Sequence, residues 1–327
     1  MAADGDDDNI FVYMGGEQVV PNGVTQAIID PSVNTVRRRA FYDRRQLVSV
    51  IFHDGVELIE EQAFWNCRSL SGRIKLLGAR EIGDNAFRHC FALSGVIFGN
   101  RLETIGRNTF GSCKSLRSIK SLSVRTVQKW AFTHCLKLAE AEFGVNLESI
   151  GFNSFYHCDV LQRIAIPLKD NLFPIDTDER RCNQFDSCEN LTTVDLVGAE
   201  GIHNTISSLL LKSWRNKMNQ EINRINEVLP NILGLSKAEM VRLCIRSVIN
   251  KLEHYKAEHK RLLKEHMTQL ELAVWKAKLE DDEDDSILNV QATKRAKIDV
   301  GNARKEKRIT SGADIIIKNV LPFLKLA

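Results

Sequence analysis

The stretch that decides the fold runs from residue 93 to residue 113 and consists of LSGVIFGNRLETIGRNTFGSC. In general form its pattern is L-x-x-I-x-F-x-x-x-V-x-x-I-x-x-x-A-F-x-x-C, and this pattern recurs along the chain. The second phenylalanine of the unit marks each copy, with successive steps of 23, 23, 23, 22, 23 and 30 residues, at Phe41, Phe64, Phe87, Phe110, Phe132, Phe155 and Phe185. A period of this length is typical of a repeat protein.

Each unit combines two apolar periods. The first part ends in the alternation of a short strand with one buried face, whereas I-x-x-x-A-F-x-x-C has the spacing of about two helical turns. A unit of this size cannot bury its own apolar side, so copies must stack. The sequence therefore predicts a solenoid in the α/β class, with parallel strands on a concave wall and short helical turns opposite. Eight strand openings are expected, at Val24, Leu47, Leu70, Leu93, Leu116, Leu138, Leu161 and Leu191.

The repeats resemble those of the BspA-like leucine-rich repeat proteins, which carry the signature A-F-x-x-C-x-x-L. The resemblance covers roughly Val24 to Leu196. It implies a curved solenoid used mainly for protein binding. The C-terminal half, with HKRLLKEH and TSGADIIIKNVLPFLKL, is similar to a helical segment appended to these repeats in some eukaryotic members.

The terminal units depart from the pattern. Arg44 stands where the first cysteine is expected, and the insertion PLKDNLFPIDTDERRCNQ precedes the last turn motif. Atypical end units are expected because one of their faces has no neighbouring repeat. Gly15 and Gly16 separate two apolar runs, which predicts a hairpin over Ile10 to Pro21 that closes the first end.

Composition narrows the function classes. The 327 residues include 45 Lys and Arg against 42 Asp and Glu, a formal net charge of +3 that gives no global signal for polyanion binding. The start MAADGDDDN lacks the features of a secretory signal. No apolar run reaches the ~20 residues that span a bilayer. We therefore expect an intracellular protein, cytoplasmic or nuclear, without membrane attachment, whose cysteines stay reduced.

The cysteine series could in principle bind metal or supply nucleophiles. Neighbouring cysteines are a whole repeat apart, which does not fit the short knuckle of a structural zinc site. Histidines precede Cys90, Cys135 and Cys158, yet adjacent residues on a helical turn point about 100° apart and cannot easily share a proton. Buried packing of the thiols is favoured over both chemistries. We predict no catalytic residue, metal or cofactor, and no enzyme; a cysteine-based enzyme using the His-Cys positions is the disfavoured alternative.

The outward positions of the strands are the candidate site. The inward letters repeat whereas the outward ones vary, as a recognition surface requires, although an unselected solvated face would also vary. The predicted protein-binding residues are Ser49, Ile51, Arg73, Lys75, Ile97, Ser118, Lys120, Glu140, Glu142, Arg163, Thr193 and Asp195. Gly95 and Ala165 complete the rungs. Basic residues beside an acidic block favour a protein of mixed charge and disfavour nucleic acid.

The pattern changes to long helical periodicity after Gly201. One apolar stripe ends at Pro230, and a second helix begins near Ser236, with Glu239 in capping-box spacing, and extends to about Leu279. An antiparallel hairpin, packed on the end of the solenoid, is the simplest arrangement; a homodimer through a coiled coil stays open.

Opposed charge blocks follow the helices. DDEDD occupies 281–285, and KRAKIDVGNARKEKR, which resembles a bipartite nuclear-import signal, occupies 294–308. A nuclear nucleic-acid-associated factor acting through this basic tail is therefore an alternative function. The predicted organisation is an acidic disordered tail (1–9), a solenoid with its hairpin cap (10–200), a helical hairpin (201–280), a charged linker (281–311) and a short apolar segment (312–327) expected to dock on the hairpin.

Overall fold

A computed structural model describes residues 10–174, 183–198, 211–232 and 237–291, with the side chains of the last helix described through residue 277. The first compact unit joins the repeats to residues 213–252, and the second contains the helical residues that follow Leu252. The repeats form a parallel β-solenoid, which confirms the predicted fold class.

Each repeat of the solenoid is one coil. One side of the coil is a strand, and these strands together form the strand wall. In the described part of the chain this wall contains β1 (Ile10–Tyr13), β2 (Gln26–Ile29), β4 (Ser49–Ile51), β6 (Gly72–Leu76), β8 (Leu93–Phe98), β10 (Ser118–Ser121), β12 (Glu140–Phe143), β14 (Arg163–Pro167) and β15 (Thr193–Val197). Hydrogen bonding groups them as β1-β2-β4, β6-β8 and β10-β12-β14-β15, all parallel. All eight predicted openings lead into a strand.

Two-residue strands, each of which comes after a wall strand along the chain, form a second sheet. It consists of β3 (Thr35–Val36), β5 (Leu58–Ile59), β7 (Glu81–Ile82), β9 (Thr104–Ile105), β11 (Thr126–Val127) and β13 (Ser149–Ile150). Its order is sequential and its pairing parallel. The solenoid therefore carries hydrogen-bonded ladders on two faces, because every coil repeats the same apolar alternation at the same place.

The core is a set of columns that run along the solenoid. The repeat phenylalanines from Phe41 to Phe185 are fully buried. In the centre their rings stack nearly parallel, with centroids 5.5 Å apart for Phe87 and Phe110 and 5.6 Å apart for Phe110 and Phe132. Each coil thereby buries its ring between two neighbours, which is why a single unit could not be stable alone.

The segment around each phenylalanine is a chain of turns, so the predicted short helical turns are wrong. Residues two before and two after the ring have positive φ, as at Asn85 (56°) and His89 (63°), a conformation that no right-handed helix contains. Alternate amides instead donate to the next coil. The Asn85, Phe87 and His89 N–H groups reach the carbonyls of residues 107, 109 and 111 at 2.7, 2.8 and 2.8 Å.

The predicted N-terminal hairpin is also wrong. β1 pairs in parallel with β2, with Ile10 opposite Gln26 and Tyr13 opposite Ile29. Tyr13 is fully buried, and its ring lies 5.3 Å from that of Phe41. Because the alternation of β1 places an aromatic ring on the inward side, the strand extends the wall as an additional coil. The Gly15-Gly16 pair predicts a cap here, whereas the segment is a strand of the wall.

Two helices follow the last coil. The first, α1, spans Lys212–Val228 and ends in a 3₁₀ turn at Leu229–Asn231; the second, α2, spans Lys237–Gln291. The predicted stripe of α1 is buried at Met218, Ile225 and Leu229. Helix α2 continues through the acidic run at 281–285, so the predicted linker boundary at 281 falls inside a helix. Ser236 and the apolar segment 312–327 lie outside the described residues.

Residues 213–252 contact the last coil of the solenoid. The Asn226 side-chain oxygen accepts a hydrogen bond from the Val194 amide at 2.8 Å. The ammonium group of Lys237, a residue only 1% exposed, donates to the carbonyls of Glu189 and Leu191. Arg246 forms an ion pair with Asp170 at 2.9 Å. Residues 213–252 thus cover the C-terminal end of the solenoid.

Candidate binding surface

The outward side chains of the strand wall form two rows in register. In one row Ser118, Glu140, Arg163 and Thr193 lie side by side on β10, β12, β14 and β15. In the other row Lys120, Glu142, Ala165 and Asp195 are neighbours. Because parallel strands in register place equivalent residues on the same face, the repeat pattern correctly placed these positions together.

All twelve predicted binding residues point outward. None is buried, whereas the intervening Val50, Ile74, Val96 and Ile119 are. The two small residues at equivalent outward positions, Gly95 and Ala165, are buried instead; Ala165 is 2% exposed. At Gly95 a β-carbon would lie 3.0 Å from the Arg73 side chain, so the glycine leaves room for that arginine to lie across the next coil. The binding role of these residues stays a prediction.

The wall changes character along its length. Its first coils expose Ile10, Val12 and Ile51, which are 45%, 44% and 60% exposed. The central coils present Arg73, Lys75 and Lys120, and the last coils present Glu140, Glu142 and Asp195. The sequence does not predict this apolar end, because Tyr13 lies 16 residues before its partner Ile29 instead of one full period of 23, and the Gly15-Gly16 pair favours a hairpin. The apolar alternation of β1 is the only local signal for a strand of the wall.

Two ion pairs neutralise part of this charge. Lys120 and Glu142 are 2.8 Å apart on β10 and β12, and Arg163 and Asp195 are 2.6 Å apart on β14 and β15. Glu140, Arg73 and Lys75 form no ion pair within the described residues. Exposed cross-strand pairs contribute less than about 1 kcal/mol each to stability. The charges that remain available to a partner are therefore Glu140, Arg73 and Lys75.

The cysteines form a buried column beside the phenylalanines. Each thiol donates to the carbonyl of the preceding coil's phenylalanine, as Cys90 does to Phe64 at 3.2 Å and Cys113 to Phe87 at 3.2 Å. Burial raises the pKa of Cys67 and of Cys188 to about 12, so the thiolate needed for nucleophilic attack is disfavoured. In the coil of Phe41, Arg44 takes the cysteine position and donates to the Val20 carbonyl at 2.7 Å.

The His-Cys neighbours do not form dyads, but the reason differs from the predicted helical geometry. His89, His134 and His157 have positive φ of 63°, 55° and 54°, and each directs its ring outward while the cysteine packs inward. The rings lie among other aromatic groups: His134 and His157 stack with centroids 5.0 Å apart, and His89 meets Trp65 edge-on at 5.7 Å. In the described residues no three His, Cys, Asp or Glu side chains cluster to hold an ion.

We predict that the seven described cysteines react with a thiol reagent only after unfolding. All are buried and unpaired, and desolvation raises the pKa of their thiols. Titration with Ellman's reagent should give eight fast thiols in urea. In the native C182S variant, which removes the cysteine outside the described residues, labelling should follow the unfolding rate. A native thiol that reacts as fast as free cysteine would contradict this assignment.

The sequence matches the BspA type leucine rich repeat region in six copies, over residues 22–122 and 80–204. Together the two ranges cover more than half of the chain. The chain belongs to the BspA-type leucine-rich repeat family. The signature residues of this family are the ones that form the phenylalanine and cysteine columns, which explains why the resemblance and the core coincide.

Solved structures of leucine-rich repeat proteins are similar to this chain at low identity. A leucine-rich repeat protein from Eubacterium ventriosum is 22% identical, with a TM-score of 0.41 over 44% of this chain and 40% of that one. The T. pallidum leucine-rich repeat protein TpLRR is 23% identical, with a TM-score of 0.40 over 58% of this chain and 76% of that one. The chain thus spans under half of the Eubacterium protein. A search of curated proteins finds no significant match.

Two predictions concern other parts of the chain. Within the described residues no helix combines the length and apolar character needed to cross a membrane. The basic segment 294–308 lies outside those residues, so the nucleic-acid alternative stays untested.

Proposed function

We propose that this protein is a non-catalytic scaffold that binds a protein partner through the strand wall. Leucine-rich repeat proteins commonly mediate protein interactions. The observation that carries the proposal is the contrast along the strand wall: inward residues repeat from coil to coil, whereas the outward residues are mainly apolar in the first coils, mainly basic in the central coils and mainly acidic in the last coils. In this proposal the protein acts inside the cell, and the strand wall is the concave face of the solenoid.

The distribution of exposed groups supports a partner of mixed character. Exposed apolar side chains at Val12 and Ile51, near the half-buried Ile28, can be covered by a partner's apolar residues. The unpaired Glu140 at the other end provides a charge that selects the orientation of that partner. Strands fixed in a ladder lose little conformational entropy on binding, so this contact area contributes with little ordering cost.

The test is a double substitution on the wall. The double variant I51D/E140K should capture at least about tenfold less of the proteins that the wild-type chain binds. I51D replaces an apolar contact with a charge, and E140K reverses a charge. The matched control is V145D with E103K, which changes an exposed valine and an exposed glutamate off the wall. Thermal unfolding should be nearly unchanged in both variants because the sites are exposed.

Affinity purification with quantitative mass spectrometry separates the outcomes. Proteins retained by the control variant and lost from the wall variant support the proposal. Equal capture by all three chains, with matching unfolding temperatures, would show that the wall is a plain solvated surface.

A further inference from the structure

The turn face of the second to fourth phenylalanine coils carries cations without acids. The turn segments 62–70, 85–93 and 108–116 contain no Asp or Glu, yet they supply Arg68, Arg88 and Lys114. Together with His89 and Phe91, these residues are called the turn patch. Arg68 and Lys114 are exposed, and the other three members are half-buried.

Within the described residues the cations of the turn patch lack ion-pair partners, although Arg68 acts on Asp43 and helps to lower the pKa of that carboxyl. None of the three forms an ion pair within the described residues, whereas Arg37, Arg80 and Arg125 on the other faces each pair with a glutamate. Asp43, an acid on the turn of the preceding coil, pairs with Arg45 at 2.9 Å. Arg88 donates to the Asn85 side chain at 3.3 Å, and its buried Nε has no hydrogen-bond partner among the described residues.

Phe91 holds two of these cations in place. The Arg68 guanidinium lies 5.4 Å and the Lys114 ammonium 5.0 Å from the centroid of its ring. Cation–π contacts at such distances restrain long side chains that would otherwise be free. The lowered pKa of His89 agrees with an uncompensated positive field, because burial is its first cause and Arg88, Arg68 and Lys114 are the next ones.

We propose that the turn patch binds an acidic segment of a partner protein, in extended conformation along the solenoid axis. This surface is separate from the strand wall and goes beyond the function proposed above. Successive coils are 5.0 and 5.5 Å apart at Phe64, Phe87 and Phe110, so the patch covers about 10 Å. An extended peptide advances about 3.3 Å per residue. Carboxylates three residues apart therefore match cations two coils apart.

The aromatic groups favour carboxylates over nucleic-acid bases. A base needs a free ring face for stacking. The ring of Phe91 already has Arg68 and Lys114 within cation–π distance, and Trp65 stacks on Tyr42 with centroids 4.6 Å apart. Phe91 thus orders two cations of the patch, and the neighbouring Trp65 is already stacked, so point charges remain as the recognition groups.

The experiment uses the full chain and a fluorescein-labelled peptide of sequence DSSDSSDSSD, with NSSNSSNSSN as the neutral control. Fluorescence anisotropy should show saturable binding of the acidic peptide that weakens as NaCl rises. R68E combined with K114E should weaken it by about tenfold or more. R80E combined with R125E, a charge-matched change on another face, should change it less than twofold. The basic tail is common to all these chains, so the difference reports the patch.

Further readouts distinguish the remaining outcomes. K114E alone breaks no hydrogen bond in the described structure and should show part of the loss, which separates binding from misfolding. Binding should raise the pKa of His89, followed by NMR, because the bound carboxylates offset the cationic field. Equal losses in both double variants would overturn the proposal, as would tighter binding of a (dT)₁₂ oligonucleotide that depends on Arg68 and Lys114.

Discussion

Replacing Phe110 with alanine is expected to lower the free energy of unfolding by about 4 kcal/mol. The ring is fully buried and stacks between Phe87 and Phe132, with Phe98 meeting it edge-on at 6.1 Å. Both flanking coils are held in register by hydrogen bonds on either side of the ring, including Phe110 N–H to the Ala131 carbonyl at 2.8 Å. The coils cannot close on the cavity without breaking these bonds, so the full cavity cost remains.

Urea unfolding followed by circular dichroism measures this loss. F152A is the matched control, because this ring is half-buried on the turn face and meets only Trp130, edge-on at 5.8 Å, among the ring contacts described. We expect it to cost about 1 kcal/mol or less, as for partly exposed substitutions. A loss below about 1 kcal/mol at Phe110 would mean that the column is not the main source of stability.

The 23-residue period predicted most of the strand wall, because the positions that stay apolar in every repeat are the buried ones. Inward residues such as Ile119 and Ala141 recur at fixed offsets, so outward neighbours such as Lys120 and Glu142 follow without knowledge of contacts. The turn conformation was not predicted, because I-x-x-x-A-F-x-x-C satisfies a helical period equally well. The available signal was asparagine at the positive-φ positions, as at Asn66, Asn85 and Asn108, since this residue tolerates left-handed backbone.

Pairings between distant parts of the chain could not be predicted from the repeat. Glu221 lies on the apolar stripe of α1, where the pattern gives no place for a carboxylate. In the structure it is buried and accepts hydrogen bonds from Ser247 at 2.6 Å and from Lys251. Nothing local in the sequence of α1 indicates these partners. The same holds for the contact between Lys237 and the last coil, which only the three-dimensional structure reveals.

The second large effect is expected at Lys237, which takes the place of a missing coil. In inner coils the carbonyl of Arg68 accepts from the Ala92 amide, and that of Phe91 from the Ser115 amide, one coil further on. Glu189 occupies the equivalent position in the last coil, and the Lys237 ammonium donates to its carbonyl and to that of Leu191. Burial lowers the pKa of Lys237, so its position costs desolvation energy that these hydrogen bonds offset.

K237A should therefore destabilise the C-terminal end of the solenoid by about 3 kcal/mol, because it leaves buried carbonyls without donors and removes a packed aliphatic chain. Since coils in a repeat protein contact only their neighbours, the loss should appear first as faster hydrogen exchange in β15 and β14, with β4 and β6 nearly unchanged. K217A, at an exposed lysine of α1, is the control and should leave exchange at β15 as in the wild type. Uniformly faster exchange along all strands in K237A would instead show that the helices stabilise the solenoid as one cooperative unit, and unchanged exchange would show that the ammonium group does not substitute for a coil.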